Sequence, residues 1–339
     1  MVRIKDIAEK AGVSSATVSR VLNQDKSLSV SDVTRQNIFQ IAQELGYQKK
    51  PKQGTEKIKQ RGTIAIVEWY TEAQELDDLY YYAIRLGVEK KAQELGYNII
   101  RIFNNDELDT SISIKGIIAI GKFSAQKIHE LEDYTSHIIF IDSNTLHYGH
   151  SCVTTDFEHS VIAVLDYFLE NGHTKIGMLA GQESTSDQRT LLLDSRLSTF
   201  QDYLTQKGLF QEHWLKIGPF TAESGYQLMK ELLTENSDQL PSALFLANDT
   251  LAMGAIRALQ EASIKIPSQM SLVAFNDTSI AKYVYPPLSS VTVYTEEMGK
   301  KGLELLHQEL ESNENPIPQM VTLSTTLTIR ESSSLYENL

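Results

Sequence analysis

The first two dozen residues carry side chains that suit contact with nucleic-acid bases. When the residues after Ser14 are drawn as a helix, one side presents small hydroxyls, a methyl group and a guanidinium, from Ser15, Ala16, Thr17, Ser19 and Arg20. Such groups can contact the edges of base pairs, and an α-helix fits the major groove of B-DNA. The pattern predicts that the chain reads double-stranded DNA.

Two further predicted helices would hold this one in place. Apolar residues at helical spacing indicate a first helix, namely Ile4, Ile7, Ala8 and Ala11. Gly12 suits the positive φ that ends a helix, and the Ser14 hydroxyl can cap the next helix by accepting a backbone N–H. A third helix is predicted at about 31–45, with Ser31 as its N-cap. Residues 1–48 are therefore expected to form a three-helix helix-turn-helix headpiece.

Charge is divided unevenly along the chain, whose formal net charge is −13. Residues 1–60 hold eleven Lys or Arg against six Asp or Glu, a net charge of +5. The remainder holds 20 basic and 38 acidic residues, a net charge of −18. The basic part can gain from phosphate contacts and counterion release, whereas DNA repels the acidic part. The charge pattern favours a DNA-reading head held away from a larger body.

Residues 49–62 are the predicted linker between these two parts. Five lysines, Pro51 and Gly54 dominate it, and Ile58 is its only large aliphatic residue. Two interpretations remain open: the segment orders only on DNA, or it is a permanently flexible tether.

Composition is typical of a globular protein with two or three domains. The chain has 339 residues, of which 41% are hydrophobic and 22% charged. No apolar run approaches the roughly 20 residues that span a bilayer, and no signal-peptide core follows the amino terminus. Cys152 is the only cysteine, which excludes an internal disulfide. These features predict a cytoplasmic protein without a membrane segment.

From Thr63 onward, short apolar runs alternate with amphipathic helices. The runs predicted as buried parallel strands are 64–67, 99–103, 116–120, 138–141, 175–179, 243–246 and 272–275. Helices are predicted between them, for example at 81–95, 160–171 and 250–262. The alternation predicts two doubly wound α/β units.

The chain resembles the LacI/GalR family of bacterial repressors over nearly its whole length. The most specific match is Ile-Lys-Asp-Ile-Ala-Glu-Lys-Ala-Gly-Val-Ser at 4–14, with Thr-Val-Ser-Arg-Val-Leu-Asn at 17–23 and Leu-Gly-Tyr at 45–47. Weaker matches lie at 171–173, 179–181, 247–254, 275–277 and 286–288. Segments 80–87 and 224–226 look most similar to galactose-operon repressors and to the repressor of the evolved β-galactosidase operon.

The resemblance implies a periplasmic-binding-protein-like effector domain at 63–339, made of two doubly wound parallel-sheet subdomains joined by three crossovers. The N-subdomain is expected at about 63–159 and 292–320, and the C-subdomain at about 160–291 and 321–332. A small sugar is expected between them, with galactose or a galactoside as the best match. Neither a cofactor nor a metal ion is expected.

The family's DNA contacts can be carried over to matching positions. Ser15, Ala16 and Arg20 are implied to meet base edges, Arg20 by forking onto a guanine, and Thr17 to meet a thymine methyl or a phosphate. The positions implied to contact the DNA backbone are Asn23, Ser31 and Thr34.

The resemblance also implies an effector site. Polar contacts to sugar hydroxyls are expected from Asp142, Arg196, Asn248 and Asn276. Phe220 is expected as an aromatic wall, and the residues expected at the cleft edge are Trp69, Tyr70 and Tyr81. Amides, a carboxylate and a guanidinium can bond pairs of hydroxyls, while aromatic rings cover the apolar face of a sugar.

Two positions depart from the family pattern. Glu56 stands where many relatives have a leucine that wedges into the central minor groove, so a central kink is not expected unless Ile58 substitutes. Asn276 stands where the family usually has Asp. Because an amide both donates and accepts, effector selectivity is expected to differ.

The polar site residues also have purely structural interpretations. Asp142 and Asn248 follow predicted strands and could cap turns or helices, a role better suited to Asp249, which opens a predicted helix. Arg196 could be a solvated helix residue, since its place in the cleft rests on the resemblance.

The aromatic and histidine residues have such interpretations as well. Phe220, Trp69 and the tyrosines at 80–82 could equally pack in the core or in a dimer interface. His147 and His150 are expected at the surface, because no third metal ligand has suitable spacing.

These patterns together predict a dimeric repressor of a sugar-utilisation operon, relieved by sugar binding. Dimerisation on a pseudo-palindromic operator is expected because one headpiece reads too few base pairs for a specific site. The residues after Arg330 contain no leucine heptad, so the sequence gives no basis for a coiled-coil tetramer. A regulator modulated by a corepressor or a phosphocarrier protein is the alternative within the family.

A transport protein would have a signal peptide and no basic head. An enzyme would need a nucleophile or phosphate loop, and no G-x-x-x-x-G-K-[ST], G-x-G-x-x-G or G-x-S-x-G string occurs.

Overall fold

A computed structural model describes residues 4–22, 30–45, 47, 60–77, 79–104, 106, 109, 111–236, 239–312 and 316–334. The chain divides into two units, residues 1–58 and 59–339. Asn23, Glu56 and Ile58 lie outside the described residues, so the roles predicted for them stay predictions. Within the described part of the chain, no helix is long and apolar enough to cross a membrane.

The first unit contains the three predicted helices. They are α1 (Ile4–Ala11), α2 (Ser15–Leu22) and α3 (Asp32–Glu44). Their inward faces bury Ile7, Val18 and Ile38 completely. Gly12 has a φ of 66°, a left-handed conformation that lets the chain turn from α1 into α2. The helix-turn-helix arrangement is confirmed.

The second unit alternates strands and helices as predicted. Its α-helices are α4 (Glu72–Asp77), α5 (Leu79–Leu95), α6 (Ala125–Glu132), α7 (Phe157–Glu170), α8 (Ser195–Gln206), α9 (Ala222–Glu235), α10 (Asp249–Glu261) and α11 (Thr295–Glu311). Its strands are β1 (Gly62–Glu68), β2 (Tyr97–Ile102), β3 (Ile114–Ile120), β4 (Ile138–Ile141), β5 (Cys152–Thr155), β6 (Ile176–Gly181), β7 (Glu183–Ser184), β8 (Leu191–Leu192), β9 (Leu215–Gly218), β10 (Ala243–Leu246), β11 (Ser271–Asn276), β12 (Ser289–Thr292), β13 (Met320–Leu323) and β14 (Thr326–Thr328).

The strands form two six-stranded sheets and a small hairpin. The N-subdomain sheet has the order β13-β5-β4-β3-β1-β2, with parallel neighbours throughout. The C-subdomain sheet has the order β14-β12-β11-β10-β6-β9, and it is parallel except that β14 runs antiparallel to β12. Strands β7 and β8 form the antiparallel hairpin.

Helices cover both faces of the N-subdomain sheet because its strands are apolar on both faces. Along β1, Ile64 and Ile66 pack in the cluster that includes residues of α5 and α11. Ala65 and Val67 point the other way and pack in the cluster that includes Ile128 of α6. Both sets are buried, as the continuous apolar run predicted.

The chain passes between the subdomains three times, as the resemblance implies. The passages are from β5 to α7, from β12 to α11, and from β13 to β14. Asp156 in the first passage donates its backbone N–H to Leu323 O in the third, at 3.0 Å. Strand β13 pairs with β5 of the N-subdomain sheet along its whole length, as far as Leu323. The subdomain boundary expected between residues 320 and 321 therefore falls inside this strand rather than in a connection.

Candidate functional site

An exposed face of α2 carries the residues predicted to meet base edges. Ser15, Ala16 and Arg20 are exposed there, whereas Val18 and Val21 of the same helix are buried. The Ser14 hydroxyl accepts a hydrogen bond from Thr17 N at 3.0 Å and so caps α2, as predicted. The cap fixes the start of the helix that presents this face.

The hydroxyls of the other predicted contacts are engaged within the headpiece. Thr17 Oγ1 lies 2.9 Å from Ser14 Oγ. Ser31 Oγ accepts from Thr34 N at 3.2 Å and lies 2.8 Å from Thr34 Oγ1, so Ser31 caps α3 as predicted. A hydroxyl has one donor hydrogen, and one member of each Ser–Thr pair donates its hydrogen to the other, so each pair keeps one hydroxyl hydrogen for a phosphate oxygen.

A cavity of about 450 Å³ lies between the two subdomains, at the carboxyl ends of their parallel strands. This volume lies within the roughly 300–1,000 Å³ of small-molecule sites. Asp142 follows β4, Asn248 follows β10, and Asn276 ends β11; all three line the cavity. Asp142 and Asn276 have φ values of 69° and 102°, a strained left-handed backbone that is common at ligand sites.

On the N-subdomain side, Asp142 is held by three donors. Its carboxylate accepts hydrogen bonds from Tyr80 OH at 3.1 Å and Tyr81 OH at 2.8 Å. Lys122 Nζ lies 2.9 Å from Asp142 Oδ2. Burial, followed by the negative charge of Asp142, raises the pKa of the Tyr81 phenol well above its usual value, so Tyr81 stays a donor.

On the C-subdomain side, Arg196 is a buried residue of the cavity wall. It is 9% exposed, so the solvated-helix interpretation is wrong. Its guanidinium lies 3.0 Å from Asp194 Oδ2 and donates to Ala247 O at 2.6 Å. The guanidinium carbon sits 4.8 Å from the Phe220 ring centroid, a cation–π contact. These contacts hold Arg196 in one orientation at the cavity.

The helix cap expected from Asp249 is supplied by Asn248. Asn248 Oδ1 accepts from Leu251 N at 2.8 Å and caps α10, while Asn248 also lines the cavity. Asp249, the expected cap, is buried and accepts from Thr278 N, Thr278 Oγ1 and Ser290 Oγ at 2.6, 2.8 and 2.9 Å. Asp249 thus ties the end of β10 to the segments after β11, and Asn248 has the amide group available for ligand.

Tyr81 and Phe220 are the predicted aromatic residues that reach the cavity wall. A Cβ on Gly181 would overlap the Phe220 ring, so glycine is needed at the end of β6 for this packing. Trp69 and Tyr70 are stacked on each other with ring centroids 4.8 Å apart, and both pack edge-on against Tyr81. Neither is among the residues that line the cavity, and both contact the Tyr81 ring; their place at the cleft edge stays a prediction.

The two histidines noted in the sequence have different surroundings. His147 is exposed and lines the cavity beside Tyr148. His150 is buried, with Nε2 2.8 Å from Glu132 Oε1, so its expected surface position is wrong. Among the described residues, no group of three or more His, Cys, Asp or Glu side chains could hold a metal ion.

Comparisons with known proteins agree with both halves of this architecture. Residues 3–50 match the model of bacterial regulatory proteins of the lacI family, and residues 165–333 match a periplasmic binding protein-like domain. The chain is 46% identical to the HTH-type transcriptional regulator GalR of Streptococcus thermophilus, over 98% of this chain and 100% of that protein. The chain belongs to the LacI family. It is a DNA-binding transcriptional regulator, as the outward face of α2 predicted.

Solved structures share the LacI-family fold along nearly the whole chain. A transcriptional regulator CelR–cellobiose complex superposes with a TM-score of 0.70 at 24% identity, covering 98% of this chain and 100% of that one. A Lac repressor dimer bound to operator and the anti-inducer ONPF gives a TM-score of 0.66 at 23% identity, covering 98% of each chain. These likenesses establish the fold.

Several residues of this LacI-family cavity were missed by sequence reasoning. They are charged and aromatic residues on both sides of the cavity: Tyr80, Lys122, Phe123, Phe157, Glu183 and Asp194. Lys122 after β3 and Glu183 after β6 follow apolar strands, as Asp142 does, so their positions at the strand ends could have been a signal for them. Asp194 could have been found as the N-cap of α8, since it accepts from Arg196 N at 2.9 Å.

Proposed function

We propose that this regulator is a repressor of a sugar-utilisation operon, which binds operator DNA as a homodimer and releases it when a sugar fills the cavity. The cavity carries the proposal: fixed polar side chains of both subdomains meet in a space of small-molecule size. The GalR name of a relative with 46% identity supports galactose or a galactoside as the effector. The protein would act in the cytoplasm, where its DNA lies.

In the headpiece, we assign base contacts to Ser15, Ala16 and Arg20. Their exposure on one side of α2 supports this assignment. Thr17, Ser31 and Thr34 would contact the DNA backbone, as would Asn23. Short side chains at 15 and 16 let the helix approach the groove closely, so Arg20 supplies most of the sequence preference.

In the cavity, we assign the sugar hydroxyls to Asp142, Arg196, Asn248 and Asn276. Carboxylate, guanidinium and amide groups offer the mixture of acceptors and donors that adjacent hydroxyls require. Phe220 would cover the apolar face of the ring, with Tyr81 opposite. Trp69 and Tyr70 would act indirectly, by holding Tyr81 in place.

Release of DNA would follow from linkage between the two sites. The sugar contacts belong to separate subdomains, so a sugar that bonds both favours the conformation in which they are close. A ligand shifts an equilibrium only by its differential affinity for the two states. The closed state must therefore be the one that binds operator more weakly.

A surface of the C-subdomain supports dimerisation. Tyr283 and Tyr285 are 86% and 78% exposed, large values for aromatic residues. Gln260 Nε2 donates to Tyr285 O at 2.9 Å, which places this loop beside α10. Met253, seven residues before Gln260, is on the same side of that helix and is also exposed. Exposed apolar patches of this kind mark protein interfaces, and we assign this one to a second copy of the chain.

The test is operator binding at fixed salt, measured by fluorescence anisotropy with a labelled operator. Galactose, lactose, other sugars and a phosphocarrier protein are added in separate titrations. We expect galactose or a galactoside to weaken operator binding at least about tenfold, the size of an ordinary allosteric coupling. If no sugar changes the affinity, the induction model is refuted, and an increase with the phosphocarrier protein favours the corepressed alternative.

A further inference from the structure

The β7–β8 hairpin extends from the C-subdomain across the cleft. Its strands pair Glu183 with Leu192 and Ser184 with Leu191. Thr185 N donates to Thr190 O at 2.9 Å and continues the pairing toward the turn. The hairpin is a short, internally bonded element whose first residue, Glu183, lines the cavity.

Three hydrogen bonds attach the turn of this hairpin to the N-subdomain. Ser186 N donates to Lys122 O at 3.0 Å, and Asn104 Nδ2 donates to Ser186 O at 3.1 Å. Arg189 donates to Gln126 Oε1 on α6 at 2.8 Å. Because the turn is bound to one subdomain and its strands continue from the other, the position of Glu183 is fixed relative to both cavity walls.

The Glu183 carboxylate is available to a ligand. Among the residues that the structure describes, none hydrogen-bonds this carboxylate. Its charged neighbours are Lys122 and Arg196, with Asp142 and Asp194 also near. Burial raises the pKa of Glu183 to about 7, against the opposing effect of the two cations.

The charges in the cavity wall do not balance. Lys122 is paired with Asp142 at 2.9 Å, and Arg196 is paired with Asp194 at 3.0 Å. Each cation therefore already has its own carboxylate, and Glu183 is a third carboxylate beyond the two pairs. A neutral polyhydroxyl ligand can donate to it, whereas an anionic ligand meets a negative charge and finds both cations engaged.

We propose that Glu183 is a specificity-determining residue: it accepts a hydrogen bond from an effector hydroxyl and selects an unphosphorylated sugar over its phosphate ester. This inference rests on the proposed function, in which a sugar occupies the cavity. The hairpin presents Glu183, so the selectivity depends on an element that is bound to both subdomains.

The experiment is calorimetric titration of the full chain at about pH 8.5, above the pKa of Glu183, with galactose and galactose 6-phosphate, and with lactose and its 6-phosphate. We expect the wild type to bind the neutral sugar at least about tenfold more tightly than its phosphate. Glu183→Gln should weaken the neutral sugar several-fold, because a neutral amide is a weaker acceptor than a carboxylate. The same variant should strengthen binding of the phosphate about tenfold, because the like charge is gone.

Two further variants make the result specific. Glu183→Asp keeps the charge and should keep the preference for the neutral sugar. Glu170→Gln removes an exposed carboxylate at the end of α7, outside the cavity, and should bind both ligands as the wild type does. Circular dichroism of each variant checks that the fold is retained.

The outcomes separate this inference from the proposed function. If the wild type binds the neutral sugar and Glu183→Gln leaves the ratio of the two affinities unchanged, the role of Glu183 is refuted while the sugar effector stands. A wild type that prefers the phosphate ester contradicts the charge argument directly. If the wild type binds none of these sugars, galactose and galactosides are excluded as effectors, and the inference fails with them.

Discussion

Glu68 ends β1 inside the N-subdomain, where it is 1% exposed. Arg85 Nε lies 3.5 Å from Glu68 Oε1, but Arg85 donates two hydrogen bonds of 2.7 Å to Glu75 instead. Neither carboxyl oxygen of Glu68 has a hydrogen-bond partner among the described residues. Burial, assisted by the negative charge of Glu75, raises the pKa of Glu68 to about 8. The wild type is therefore expected to lose stability as the pH rises.

The sign and size of this loss follow from proton linkage. Between pH 4.5, the ordinary value for Glu, and pH 8, the folded chain holds a proton that the unfolded chain has released. The free energy of unfolding therefore falls as the pH rises through this window, and above it the full loss caused by Glu68 is present and no longer changes with pH. At ~1.4 kcal/mol for each pKa unit, the full shift corresponds to a loss of up to ~5 kcal/mol. Relaxation around the ionised carboxylate lowers the expected loss to roughly 2–4 kcal/mol.

Glu68→Gln keeps the shape of the side chain and removes its titration. Urea unfolding at pH 5 and pH 8, at one protein concentration, can be followed by the fluorescence of Trp69 and Trp214, the two tryptophans of the chain. Between these pH values the wild type should lose roughly 2–4 kcal/mol more than Glu68→Gln does. Glu170→Gln, at an exposed carboxylate, should follow the wild type. Equal pH slopes for the wild type and Glu68→Gln would refute the reasoning.

Three other substitutions test the DNA face, the aromatic wall and the dimer patch. Arg20→Ala should reduce discrimination between operator and random DNA by about 1–3 kcal/mol in anisotropy titrations, whereas equal weakening on both DNAs would place Arg20 on phosphate. Gly181→Val should displace the Phe220 ring and weaken sugar binding about tenfold in calorimetry, with operator affinity unchanged without sugar. Tyr285→Asp should shift the protein toward monomer in sedimentation and weaken operator binding at least about tenfold, since paired headpieces share one operator; a dimer that persists contradicts the assigned interface.

The fold was largely predictable because its signals are local. Strands 138–141 and 243–246 were predicted with the observed bounds, since both are uninterrupted apolar runs buried on two faces. Strands β5, β12 and β14 were not predicted. They are three or four residues long and rich in Ser and Thr, so they lack an apolar run. Short polar strands such as these form because they pair with neighbouring strands in the folded sheet, and this pairing cannot be predicted from the local sequence pattern.

The candidate site was less predictable, because several of its residues are defined by partners far away in the sequence. Asp142 and Asn276 were carried over from the family resemblance; the structure places Asp142 just after β4 and Asn276 at the end of β11. Arg196 is held in the cavity wall by Asp194 and by the carbonyl of Ala247. The sequence around position 196 does not indicate the contact with Ala247, which is far away along the chain. The packing of the Trp69 ring against Tyr81 of α5 is likewise a tertiary contact that the local sequence does not determine.

The way each polar group is held decides what a ligand can do in this cavity. Asp142 is bound by Tyr80, Tyr81 and Lys122 of its own subdomain, and Arg196 by Asp194 and Ala247 of its own. Each wall is therefore organised before ligand arrives, so little binding energy is spent on ordering side chains. Neither Asp142 nor Arg196 needs the opposite wall to complete its hydrogen bonds. A ligand that bonds both residues would therefore add an attraction between the subdomains that the contacts of Asp142 and Arg196 do not provide. In the proposed function, a ligand that binds the closed state more tightly would shift the cleft equilibrium by that difference in affinity.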